Sequence, residues 1–214
     1  MIDPLGLDSY ILYDAFDGND KKVSLMRKEL KKLYGKTVHL QAIENGTQFK
    51  EYWNNNIGFD TDGNEVSIDA TVLLFHGWSG GIGFHEKNSS VVKWAEDDIR
   101  ISDLASLDQK NMEILLALTC HISDSGESIT QSLYNSHHGI KQIVGADAGV
   151  YANVKSSGFL GLNKYVDIYT GNDGTKGFKL YQHDNKADPD YLGGLEYHFK
   201  SLTELIKMAQ ELKP

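Results

Sequence analysis

The sequence predicts an α/β domain built on a mostly parallel central sheet with helices on both faces. Three observations predict it. Residues 70–75 (ATVLLF), 114–119 (ILLALT) and 140–146 (IKQIVGA) are short apolar runs of strand length, the pattern of strands buried on both faces. Helical periodicity alternates with these runs, as βαβ units require. The first two runs end on His76 and Cys120, at the carboxyl ends of strands, where open α/β sheets build their sites.

Composition narrows the class. A chain of 214 residues with 40% hydrophobic and 24% charged residues suits a single globular domain with a full core. Its net charge of −9 weighs against a nucleic-acid partner. Cys120 is the one cysteine, so an internal disulfide is excluded. No apolar run approaches the ~18 residues of a membrane helix. The first residues lack a basic stretch followed by an apolar core, so no secretory signal is expected.

In chain order, Asp3-Pro4 and Gly6 mark a turn leading to a strand over 10–16. Val23, Met26, Leu30 and Leu33 fall on one face of an amphipathic helix over 21–34, stopped by Gly35. A strand over 37–43 and a short helix over 47–55 follow. Asp60-Thr61-Asp62-Gly63-Asn64 has the spacing of a miniature calcium loop but lacks the downstream bidentate Glu. Asp-Gly between strand-like segments reads as a hairpin turn instead. After His76-Gly77 comes a Gly-rich loop, then 98–107 (DIRISDLASL) and the strand that ends on Cys120. A helix over 126–135 and the strand at 140–146 continue the alternation. Beyond Asp147 the pattern weakens, leaving a strand at 178–183 and an amphipathic helix at 201–212.

Cys120 and His76 form the candidate site. A free cysteine is most often a small core hydrophobe, but this one stands at a strand exit beside His121 and other polar residues. If the two strands are neighbours, a thiol and an imidazole face one crevice, as thiolate catalysis requires. A second cluster, His121, His137 and His138 with Cys120, matches no zinc-ligand spacing. No metal and no cofactor is expected.

Two resemblances go further. Asp3-Pro4-Leu5-Gly6-Leu7 resembles the end of the core of Rhs/YD-repeat proteins, where the core cleaves itself and releases a C-terminal toxin inside its shell. Phe75-His76-Gly77, the segment Ile101-Ser102-Asp103-Leu104-Ala105-Ser106-Leu107-Asp108, Leu118-Thr119-Cys120 and Ile143-Val144-Gly145 together resemble CHAT domains of the caspase–separase clan of cysteine peptidases. The second likeness covers roughly residues 70–150. It implies a caspase-like three-layer α/β/α sandwich over 8–214, with 1–7 a remnant of the Rhs motif.

The same likeness implies Cys120 as nucleophile and His76 as general acid/base. The N–H groups of Gly77 and Cys120 would form the oxyanion hole. Ala146-Asp147-Ala148-Gly149-Val150 departs from the Trp-x-Val continuation common in that clan, and Asp147 is the candidate for binding a basic P1 side chain. The implied function is a cysteine endopeptidase acting as a toxin effector, secreted by a specialised delivery system and active in the target-cell cytosol. Its implied partners are a protein substrate, the Rhs core shell and a cognate immunity protein. Two alternatives stand beside it. Gly77-Trp78-Ser79-Gly80-Gly81 has the G-x-S-x-G form of an α/β-hydrolase with Ser79 as nucleophile. A non-catalytic binding module with the caspase-like fold is the other.

Overall fold

The computed structural model describes residues 8–17, 20–60, 62–85, 92–93, 97–124, 127–157, 163–182 and 189–212. The Rhs-like residues Met1–Leu7 lie outside them. The chain runs β1 (Asp8–Asp14), α1 (Asp20–Tyr34), β2 (Val38–Ile43), α2 (Gly46–Asn55), β3 (Ile68–Leu74), β4 (His76–Trp78), β5 (Gly81–His85), β6 (Val92–Lys93) and β7 (Ile99–Arg100). A 3₁₀ helix at Ile101–Ser106 precedes β8 (Met112–Ala117), α3 (Ile129–Ser136), β9 (Ile140–Ala146), β10 (Val150–Ser157) and β11 (Asn163–Thr170). The described chain closes with β12 (Phe178–Gln182), β13 (Asp190–Leu192), β14 (His198–Phe199) and α4 (Leu202–Glu211).

Seven strands form the central sheet in the order β13-β12-β9-β8-β3-β1-β2. From β2 to β9 every pairing is parallel, and β12 lies antiparallel to both β9 and the edge strand β13. The apolar runs explain the layering, because alternate side chains leave opposite faces of a strand. In β8, Ile114 and Leu116 join Val23, Met26 and Leu30 of α1 and Leu202, Leu205 and Ile206 of α4 in one core. Leu115 and Ala117 join Phe49 and Trp53 of α2 and Ile129 and Leu133 of α3 in the other. The result is the expected mostly parallel α/β/α sandwich, consistent with a caspase-like fold.

Local chemistry explains the helix ends. Asn45, Ser128 and Ser201 each cap a helix by accepting a hydrogen bond from the third following N–H, in α2, α3 and α4. Gly35, with φ of 70°, stops α1 in the left-handed conformation that glycine adopts freely. The chain turns at Asp62-Gly63, where the Asp60 carboxylate accepts from the N–H groups of Asp62 and Asn64. Phe59 and Glu65 bridge across it, as the hairpin reading requires.

The structure departs from the sequence expectation in three places. The segment after His76 returns as an antiparallel hairpin, Trp78 facing Gly81. The weak pattern beyond Asp147 is the long β10–β11 hairpin, joined by β14 into a separate three-stranded sheet. Its Ala152, Val166, Ile168 and Phe199 pack into the α1/α4 core, so this sheet adds cover on that face. The first strand spans Asp8–Asp14 rather than 10–16, which puts Asp14 at its carboxyl end.

Candidate active site at the carboxyl ends of the central strands

β3 and β8 are neighbours, with Leu73 opposite Ala117 and the Leu118 N–H donating to the Leu73 carbonyl. Continued by three residues, that parallel register sets His76 opposite Cys120. Gly77 closes the gap between the two strand ends. A β-carbon built on it would lie 2.1 Å from Thr119 Cγ2 and 3.0 Å from the Cys120 carbonyl oxygen. Only a residue without a side chain fits so close an approach. His76 and Cys120 therefore both lie just past the ends of adjacent parallel strands, with Gly77 packed against the Thr119–Cys120 stretch.

The Cys120 sulfur is held from the other side. The Val150 N–H donates to Sγ at 3.2 Å, and the Val150 carbonyl oxygen lies 3.8 Å from it. Burial pushes the Cys120 thiol above its ordinary value; the Asp173 carboxylate adds to the push, while the N–H groups of Val150 and of Cys120 itself oppose it. At neutral pH the sulfur is thus a protonated thiol that needs a base. Alkylation of Cys120 by iodoacetamide, followed by mass spectrometry, is expected to be slow at pH 7 and to keep rising beyond pH 9. An ordinary thiol reaches half its limiting rate near its pKa of about 8.5, and the midpoint for Cys120 is expected to lie above that. A rate already flat at pH 8 would contradict a raised thiol pKa.

His76 makes its contacts elsewhere. Its ring meets the His85 ring edge-on at a centroid distance of 4.4 Å. Its Nε2 lies 3.6 Å from the Asp17 carboxylate, is buried and has no hydrogen-bond partner. His76 and Cys120 are not hydrogen bonded to one another in this conformation. Beside them, His85 Nδ1 and the His85 N–H both meet Asp14 Oδ2, at 2.9 and 2.8 Å. Asp14 is fully buried and its other oxygen accepts from the Phe16 N–H at 2.9 Å.

The chain turns sharply after the sulfur. His121 has φ of 51°, the left-handed region that a residue with a side chain enters only when its surroundings enforce it. The enforcing bonds run from its N–H to the Ala148 carbonyl and from its ring to Asp124 and Asp173, at 3.2 and 3.1 Å. Burial pulls the His121 imidazole down, but the bonds to Asp173 and Asp124 outweigh it and hold its pKa above the ordinary value.

The structure places Asp147 inside the protein, just past the end of β9. It is buried, and its carboxylate accepts from the Lys176 and Gly177 N–H groups, with the Lys179 ammonium 3.6 Å away. Burial alone would raise its pKa; those two N–H groups and Lys179 reverse the effect and leave it lowered. The carboxylate anchors the segment before β12 to the end of β9. The acidic residue whose charge reaches the sulfur is Asp173, which accepts from the Gly149 N–H at 2.9 Å and is half exposed.

The other constellations disperse. Ser79 stands in a strand–turn–strand hairpin, not the strand–turn–helix of a nucleophile elbow. His137 is buried, its Nε2 3.2 Å from the Leu107 carbonyl, and it stacks edge-on against Trp53. It does not converge on Cys120. Among the described residues, one group of His, Cys, Asp and Glu is close enough to share an ion: Asp14, His76 and His85, with ligand atoms within 4.8 Å of one another. Asp14 and His85 went unseen in the sequence. An acid ending a buried strand (DSYILYD) was the available signal for Asp14; His85 lies in GIGFH with none.

Comparison with known protein families gives no matching family model, and no curated protein matches the chain.

Proposed function

We propose that this protein is a cysteine endopeptidase using Cys120 as nucleophile and His76 as general acid/base, and that it acts as a toxin effector on proteins of a target cell. One observation carries the reading: the sole cysteine and His76 follow adjacent parallel strands, and Gly77 lets the two strand ends approach closely. Hydrolysis follows from that placement in ordinary steps. A rotation of the imidazole away from His85 brings it to the Cys120 thiol, whose proton it removes as sulfur attacks the peptide carbonyl. Catalytic hydrogen bonds are often unmade in the resting enzyme and form with substrate. The tetrahedral oxyanion faces the Gly77 and Cys120 N–H groups. Collapse to the thioester breaks the C–N bond, and the imidazolium gives its proton to the leaving amine. Water, deprotonated by His76, then hydrolyses the thioester and frees the thiol.

The toxin context rests on the Rhs-like residues 3–7, which imply release from a core shell, delivery from the producing cell and a cognate immunity protein. Protein N-termini compared between cells expressing wild type and Cys120→Ala test the whole reading. New N-termini found only with wild type are the expected result, and they also report the residue before the cleaved bond. Identical N-termini in the two samples, with both proteins folded, would remove the peptidase assignment.

A further inference from the structure

We propose that Asp14, His76 and His85 form a binding site for a zinc-type divalent transition-metal ion, and that the bound ion holds His76 away from Cys120. The site itself stands on geometry alone. Its role as a switch rests on the peptidase reading above.

The three residues come from three strand ends that the fold gathers. Asp14 is the last residue of β1, His76 opens β4 just beyond β3, and His85 ends β5. β1 and β3 are parallel neighbours, with Tyr13 opposite Leu74. The β4–β5 hairpin brings His85 back, since His76 pairs with Gly83. One ligand atom from each residue lies within 4.8 Å of the other two. Tetrahedral zinc ligands at about 2.0–2.1 Å from the ion are themselves roughly 3.3 Å apart. Asp14 Oδ2 and His85 Nδ1, hydrogen bonded at 2.9 Å, would part only by about a few tenths of an ångström as the ion displaces the proton between them. His76, with a third of its side chain exposed, has the freedom to close the remainder.

Three features ask for a cation here. The Asp14 side chain is fully buried and that of His85 nearly so, and a buried carboxylate is costly without positive charge beside it. His76 Nε2 is buried without a hydrogen-bond partner, and a buried ring nitrogen left so is destabilising until something accepts its lone pair or its proton. Asp17, 3.6 Å from that nitrogen, adds negative charge at the mouth. Two imidazoles and one carboxylate select zinc or a similar ion over calcium or magnesium, which prefer oxygen throughout. The hydrogen bonds to Asp14 from the Phe16 and His85 N–H groups fix the carboxylate, as supporting bonds do in built metal sites.

Occupancy would have a direct chemical effect. An imidazole nitrogen that donates its lone pair to zinc is not available as a base. The ion would also fix the ring on the β1/β5 side, where His76 already stands edge-on to His85.

The test uses the full chain, stripped with EDTA and titrated with zinc chloride against a chromophoric chelator. One zinc per chain is expected. His85→Asn and Asp14→Asn should each weaken binding at least tenfold, with folding checked by circular dichroism. Cys120→Ser should bind as wild type, and cobalt in wild type should show ligand-field bands without thiolate charge transfer. Zinc should inhibit hydrolysis reversibly, at a concentration at least tenfold higher for His85→Asn. The absence of stoichiometric binding overturns the proposal, as does binding that survives both His85→Asn and Asp14→Asn or is lost in Cys120→Ser. Binding of the expected kind in a chain without hydrolytic activity upholds the site and overturns the peptidase reading together with the switch.

Discussion

Replacing Cys120 by alanine is expected to abolish peptide hydrolysis and toxicity while leaving the fold intact. No other residue supplies a thiol, so covalent attack has no substitute. The side chain is half-buried at a strand exit, outside both apolar cores, so little packing is lost. His76→Ala should lower kcat/KM by roughly a hundred- to ten-thousandfold, the usual worth of a positioned acid/base. The double variant should be no worse than Cys120→Ala alone, because residues acting as one unit do not add. Ser79→Ala should change kcat/KM only slightly. Ser79 sits in the hairpin turn, where its carbonyl accepts from the Ile129 N–H and its side chain is not part of that bond. Steady-state kinetics on one peptide identified from cleaved N-termini checks all four. Folded Cys120→Ala with wild-type turnover would end the cysteine-peptidase reading. Loss confined to Ser79→Ala would favour the hydrolase alternative.

A single methyl group at position 77 should be nearly as damaging, by another route. Alanine there would place its β-carbon 2.1 Å from Thr119 Cγ2, a contact the strands relieve only by separating. Overpacking of this kind costs about 1–3 kcal/mol, and the upper end is expected because the Cys120 backbone is close as well. Separation of the strand ends would also part His76 from Cys120, so kcat should fall more than stability. Thr119→Ser deletes the clashing methyl, so Gly77→Ala/Thr119→Ser should recover much of the midpoint lost in urea. The check is urea unfolding beside turnover for the two single variants and the pair. Full activity in folded Gly77→Ala would refute the close approach. Equal stabilities of Gly77→Ala and the pair would show that Thr119 is not what the methyl meets.

The contrast between what was legible and what was not has physical causes. β9 coincides with the run 140–146, and β3 and β8 lie within two residues of theirs. Strands covered on both faces must be continuously apolar, and such runs stand out. β10 and β11 carry a weaker signal. Val150, Ala152 and Val154 alternate with Tyr151, Asn153 and Lys155, a half-buried pattern easily taken for a loop. Backbone roles have no residue signature, so nothing marked Val150 as the partner of the sulfur. Asp147 was singled out for its charge, yet its partners come from residues 176–179, thirty positions away. Asp14 and His85 are 71 residues apart, and their meeting depends on the hairpin that the Gly-rich stretch did not announce.

The position of β3 and β8 within the sheet also governs how the molecule breathes. Each is paired along both edges, β3 with β1 and β8, and β8 with β3 and β9. Releasing either one requires two ladders to open together with both apolar layers, so it opens only when the whole domain unfolds. The β4–β5 hairpin has shorter ladders and is held instead by its side chains, with Ile82 and Phe84 in the α2/α3 core and His85 bonded to Asp14. The sulfur therefore follows a strand tied in along both edges, while His76 and His85 sit on a hairpin fixed mainly by side-chain packing. A change in that packing would move the imidazole of His76 together with His85 without loosening the strand that leads to the thiol.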